Sequence, residues 1–99
     1  MKTPPTVALD FHVLDSLMPD LVGHDRRPSA YILYLALTRL GAPSGETAIS
    51  LQGLATTTGL SKTAVQRSLA HLARRGLIVT QRAGRTEPPR YRVLQPWRR

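Results

Sequence analysis

Residues 51–78 carry the spacing Leu51-x-x-Leu54-Ala55-x-x-x-Gly59-Leu60-Ser61-x-x-x-Val65-x-Arg67-x-Leu69-x-x-Leu72-x-x-x-Gly76-Leu77-Ile78. This run restricts the fold more than any other part of the chain. Ser50 is placed to cap a helix over Leu51–Thr58, and Ser61 to cap a second over Lys62–Arg75. Gly59 supplies a residue that accepts positive φ at the tight turn between them. Ala55 is small enough to let the second helix cross close to the first, with Leu51, Leu54, Leu60 and Val65 filling the space. Gly76 then closes the second helix, and a strand begins at Leu77.

Helix, glycine turn, helix and strand, in that order, describe a helix-turn-helix followed by a wing. Such a unit lays its second helix in the major groove of DNA. In that second helix Val65, Leu69 and Leu72 share one face, which should point at the core. At 100° per residue, Thr63, Arg67, Ala70 and Arg74 all fall within about 40° of the opposite side. Gln66 and His71 flank this stripe, and Lys62 stands at its start. These residue types suit base edges. Arg forks onto guanine, Gln pairs with adenine, and Thr or Ala meets a thymine methyl. Ser61 and Lys62, at the helix start, are placed for phosphates. His71 reads as a surface or phosphate-facing side chain. Arg74 and Arg75 also suit the negative end of the helix dipole.

Two strands, Leu77–Arg82 and Arg90–Leu94, are expected to form the wing around a loop containing Gly84, Pro88 and Pro89. Alternation sends Tyr91 and Val93 to one side, facing the core, and Arg90 and Arg92 to the other. Arg82, Arg85 and Arg90 then reach toward phosphates or the minor groove, with Arg85 at the tip. Upstream, residues 28–40 read as a helix that is apolar over most of its circumference, which makes it the central core helix. Pro28 fits its first turn and Gly41 its C-terminal end. Asp25 is acidic near its positive end. Thr47–Ser50 is a short strand candidate. Phe11, Leu14, Leu17 and Met18 share the apolar face of a short N-terminal helix that Pro19 ends or kinks, leaving Leu21-Val22-Gly23 as a connection.

Charge is divided unevenly. Residues 1–49 hold four Lys or Arg against five Asp or Glu, whereas residues 50–99 hold ten against one. The formal net charge of +8 therefore sits on the half that carries the helix-turn-helix, as expected for a protein that binds a polyanion. Catalysis is not indicated. His12, His24 and His71 are scattered, cysteine is absent, and no metal-ligand, nucleophile or phosphate-loop spacing occurs. Asp10, Asp15, Asp20 and Asp25 recur every five residues, a period matching neither a helix face nor a strand face, and read as coincidence. No apolar run approaches the roughly 20 residues of a membrane span, and the N-terminus has no secretory h-region. No cofactor, metal, membrane or small-molecule ligand is called for, and the cytoplasm is the expected location. An RNA duplex is a poor fit, because its narrow major groove excludes a helix.

The pattern Leu54-Ala55, Gly59-Leu60-Ser61, Val65-x-Arg67-x-Leu69-x-x-Leu72 and Gly76-Leu77-Ile78 resembles the winged helix-turn-helix of bacterial transcriptional regulators of the MarR and GntR kinds, over roughly residues 28–94. Phe11-x-x-Leu14-x-x-Leu17-Met18-Pro19-x-Leu21, with Tyr31–Leu35 and Ile49–Leu51, also looks like the N-terminal domain of phage and plasmid replication initiators. The resemblance implies a mainly α fold with a small β-wing: a three-helix core, a hairpin and an extra N-terminal helix. The residues themselves, with two prolines and no periodicity at the start, place a disordered arm at 1–9, the winged domain at 10–94 and a basic tail at 95–99. The implied function is sequence-specific binding of double-stranded DNA by a transcriptional regulator. The alternatives are a replication-initiation module or a winged helix used for protein contact. Separately from the resemblance, a homodimer is expected on general grounds, because two half-sites raise affinity and specificity, with the N-terminal helix and the exposed side of residues 31–40 as its surface. The long terminal helices through which MarR-type proteins dimerise have no counterpart in this pattern.

Overall fold

The computed structural model describes residues 3–82 and 84–98. Met1 and Lys2 of the expected arm, Ala83 of the wing loop and Arg99 of the tail lie outside the described residues. Helix α1 spans Pro28–Leu40, α2 Leu51–Thr58 and α3 Lys62–Arg74; strands β1, β2 and β3 are Glu46–Ala48, Ile78–Gln81 and Arg90–Val93.

The helix-turn-helix forms through the local devices its sequence carries. Ser50 Oγ accepts the Gly53 N–H at 3.0 Å, and Ser61 Oγ accepts the Ala64 N–H at 3.1 Å. Each cap satisfies one backbone donor that the first helical turn leaves free. Gly59 sits at φ 80°, in the left-handed region where a side chain would cost about 1–2 kcal/mol. At the far end of α3, Gly76 takes φ 70°. Its N–H reaches Ala73 O at 3.1 Å, and the Leu77 N–H reaches Leu72 O at 2.9 Å. Those two bonds make a Schellman motif, and its usual apolar contact falls between buried Leu72 and Leu77. The turn therefore aims the chain straight into β2.

Helix α1 lies at the centre, packed against α2, α3, β1, β3 and the N-terminal helical segment. Pro28 begins it, where the missing N–H is harmless. Gly41 ends it at φ −83° rather than in the left-handed conformation expected of a terminal glycine. Space explains this glycine instead: a Cβ there would stand 3.1 Å from Leu37 O and 3.2 Å from the Gly45 carbonyl carbon.

The three strands form one antiparallel sheet in the order β1-β3-β2. Ile78 pairs with Val93 and Gln81 with Arg90, so β2 and β3 make the wing hairpin. Tyr91 is buried while Arg90 and Arg92 face out, as the alternation requires. The chain after β3 is held to the core. The Tyr34 hydroxyl donates to Leu94 O at 3.0 Å, and burial together with the Asp10 charge pushes its pKa up to about 12. Trp97 stacks on His12 with ring centroids 4.4 Å apart, and its indole N–H donates to Asp10 at 2.9 Å.

The N-terminal segment departs from expectation. Residues 11–24 are helical throughout, with two π-helical stretches, Val13–Leu17 and Pro19–His24, on either side of Met18. Pro19 neither ends the helix nor leaves Leu21-Val22-Gly23 as a connection. In an α-helix the proline ring strikes the carbonyl four residues back. The wider i→i+5 register relieves that clash and lets the helix run on. The same register changes which face is buried. Val13, Leu17 and Leu21 are 1%, 4% and 0% exposed, whereas Phe11 is 83% and Leu14 46% exposed. Of the four residues expected inward, only Leu17 is fully buried.

Candidate nucleic-acid interface

Helix α3 buries Val65, Ser68 and Leu72 and leaves Lys62, Thr63, Gln66, Arg67, Ala70 and Arg74 exposed. The outward face is thus the one that the 100° rotation marks out. The inward face differs by one position. Ser68, 3% exposed, takes the place expected of Leu69, which is only partly buried. Where α3 packs on α1, a small side chain permits a closer approach than leucine does. Ser61 is exposed, with its oxygen engaged as the helix cap. On the wing, Arg82, Arg85 and Arg90 are all exposed.

The charge pairing sorts the basic residues into two groups. Four acids take partners away from the exposed face of α3. Asp10 accepts from Arg98 Nε at 2.8 Å, and Glu46 faces Arg92 across the sheet at 3.7 Å. Asp20 pairs with Arg75, and Asp25 accepts from His71 Nε2 at 2.7 Å and from His24 Nδ1 at 3.0 Å. Two of these carboxyl groups, Asp10 and Asp25, are held in their charged form. The hydrogen bonds from Arg98 and then Trp97 lower Asp10 to about 2. Those from His24 and His71 lower Asp25. Among the described residues, Lys62, Arg67, Arg74, Arg82, Arg85 and Arg90 make no ion pair with the protein's own acids.

The cluster at Asp20 and Asp25 corrects three expectations. His71 does not face outward toward phosphates; it binds Asp25, whose side chain is 8% exposed. Arg75 answers Asp20 and Asp25 rather than the helix dipole alone. Asp25 serves His71 of α3 and Arg75 just beyond it, not the start of α1, whose first turn carries no acidic residue. The five-residue step from Asp20 to Asp25 is the signal for this cluster in the sequence. It fits no α-helical face, but in the i→i+5 register residues five apart are direct neighbours. The Asp25 N–H accordingly binds Asp20 O at 2.8 Å. Together these contacts tie the C-terminal end of α3 to the N-terminal segment.

Two arginines outside the set expected from the sequence also stand near α3. Arg26 and Arg27, at the corner before α1, line shallow clefts together with Arg67 and Arg74. Their signal is a pair of adjacent arginines directly before Pro28, but nothing local shows which face they join.

A three-helix core, an exposed and basic second helix of the pair, and a hairpin beside it define a winged helix-turn-helix. The sequence model of the MarR family matches residues 31–87, more than half of the chain. The chain belongs to the MarR family, a family of winged-helix regulators. It matches no curated protein and no solved structure. Among the described residues no helix is long and apolar enough to cross a membrane.

Proposed function

We propose that this protein binds double-stranded DNA sequence-specifically and regulates transcription by occupying an operator. The observation that carries the reading is the segregation of charge: among the described residues Lys62, Arg67, Arg74, Arg82, Arg85 and Arg90 have no acidic partner, while four acids are committed elsewhere. Clustered cations with no counter-charge repel one another, and a polyanion relieves that cost. In this reading α3 enters the major groove. Thr63, Gln66, Arg67 and Ala70 meet base edges, while Ser61, Lys62 and Arg74 meet phosphates. Arg82, Arg85 and Arg90 carry the wing along the backbone or into the minor groove. Membership of a regulator family supports the same function.

The test is a fluorescence-anisotropy titration of a labelled mixed-sequence duplex at several salt concentrations, followed by site selection. Log K is expected to fall linearly with log salt, by about 0.9 per phosphate contacted. Absence of binding at low salt would remove the DNA reading and favour a protein partner for the same face.

The regulator acts as a homodimer in this proposal, because two half-sites raise affinity and specificity together. Phe11, Leu14, Met18 and Val22 form an exposed apolar stripe on the N-terminal segment and supply the pairing surface. Sedimentation equilibrium is expected to give a dimer mass for the wild type and a monomer mass for Phe11→Asp/Met18→Asp. A wild type that stays monomeric at tens of micromolar would refute the pairing.

A further inference from the structure

The corner between the N-terminal segment and α1 holds an arrangement that the α3-and-wing interface does not account for. Arg26 occupies φ 55°, a left-handed conformation that a long side chain rarely adopts. Its neighbour Arg27 precedes the first residue of α1 and has no side-chain cap interaction. Both are exposed, and among the described residues neither pairs with an acid. Two adjoining clefts run from this corner onto the outer face of α3. One, of about 190 Å³, is lined by Arg26, Arg27, Ala64 and Arg67, among others. The other, of about 290 Å³, is lined by Arg27, Arg67, Ala70 and Arg74.

Four arginines, two from this corner and two from α3, thus line the two clefts, with no carboxylate among the lining residues. Asp25, immediately before Arg26, is turned to His24 and His71 instead. An uncompensated cluster of cations costs free energy, and an anion bound between the elements offsets it. The clefts are open and follow one another along α3 from Ala64 to Arg74, with Arg27 and Arg67 shared between them. A linear row of phosphates fits that shape better than a single compact anion does.

We infer that Arg26 and Arg27 form a second backbone grip, clamping consecutive phosphates of the DNA strand that borders the groove occupied by α3. This rests on the DNA-binding reading above and extends its footprint to the start of α1. The wing would hold the backbone on one flank of the recognition helix and the arginine corner on the other. Arg74 would then meet a phosphate of the strand that the corner holds while Arg67 reaches past it to a base edge, which fixes the depth of α3 in the groove. Phosphate contacts of this kind set register and orientation and carry no sequence information.

The experiment compares wild type, Arg26→Asn/Arg27→Gln and Arg26→Lys/Arg27→Lys in salt-dependent anisotropy titrations on the selected site and on a scrambled duplex. Asparagine tolerates the left-handed backbone, so the first variant removes charge with little strain. A thermal melt of each variant checks folding. Because that variant no longer neutralises two phosphates, its slope of log K against log salt is expected to be shallower by about two. Affinity is expected to drop by the same factor on both duplexes, and the lysine variant is expected to restore the slope. An unchanged slope in a folded asparagine–glutamine variant overturns the clamp while leaving the DNA reading intact. A loss confined to the selected site, or a lysine variant that restores nothing, also overturns it. A wild type that binds neither duplex removes the DNA reading and the clamp with it.

Discussion

Arg67→Ala is expected to weaken binding to the preferred duplex by about 1–3 kcal/mol and to flatten sequence preference at one base position. Arg67 stands on the middle of α3, exposed and opposite the buried Val65. Among the described residues it has no acid to hold it back from a ligand. A guanidinium in that position forks onto guanine O6 and N7, and alanine leaves those acceptors without a donor. Arg85→Ala is the matched comparison. Arg85 lies exposed on the wing loop, where a phosphate contact would weaken all sequences alike and make the salt slope shallower by about one. Competition binding with duplexes varied at single positions separates the two behaviours. Altered sequence preference in Arg85→Ala together with unaltered preference in Arg67→Ala would refute the division of roles.

Leu21→Ala is expected to destabilise the folded protein by about 2–5 kcal/mol, the usual range for a fully buried leucine. Leu21 is 0% exposed and lies in the π-helical stretch packed on α1. Its removal leaves a cavity between the N-terminal segment and the core. In a domain of this size each kcal/mol lowers Tm by about 4–8 °C, so a thermal melt reads the effect easily. Leu14, 46% exposed, is the counterpart. Leu14→Ala is expected to change monomer stability by less than about 0.5 kcal/mol, measured below the concentration at which dimers form. The reverse ranking would mean that the segment packs through the Phe11–Leu14–Met18 face, as α-helical periodicity suggests, and not through Val13, Leu17 and Leu21. Similar melts for both variants and the wild type would mean that this segment contributes little packing.

The contrast between Leu14 and Leu21 shows where sequence reasoning stops. It assumes one helical period, and Pro19 moves the segment to another. In the α period Phe11, Leu14, Leu17 and Met18 align; in the observed one Val13, Leu17 and Leu21 do. A stretch with apolar residues at so many positions satisfies either choice locally. Only packing against α1 selects between them. Asp20 and Asp25 follow the same logic, since their five-residue spacing becomes meaningful only once the register is known.

The helix-turn-helix was legible for the opposite reason. Ser50, Gly59, Ser61 and Gly76 act within four or five residues of themselves, through caps and positive-φ turns. The outward face of α3 and the inward Tyr91 follow from helix and strand periods, which need no knowledge of distant partners. These elements, and the placement of the charge on the second half of the chain, could be read from residue order alone. Which cations stay unpaired could not. Asp10 meets Arg98 across 88 positions and Asp25 meets His71 across 46. Such pairings exist only after the chain has folded, because charges that distant in sequence are brought within 3 Å by the packing of other residues. Tertiary structure therefore decided that His71 and Arg75 brace α3 from behind, and that Arg26 and Arg27 stand beside its free face.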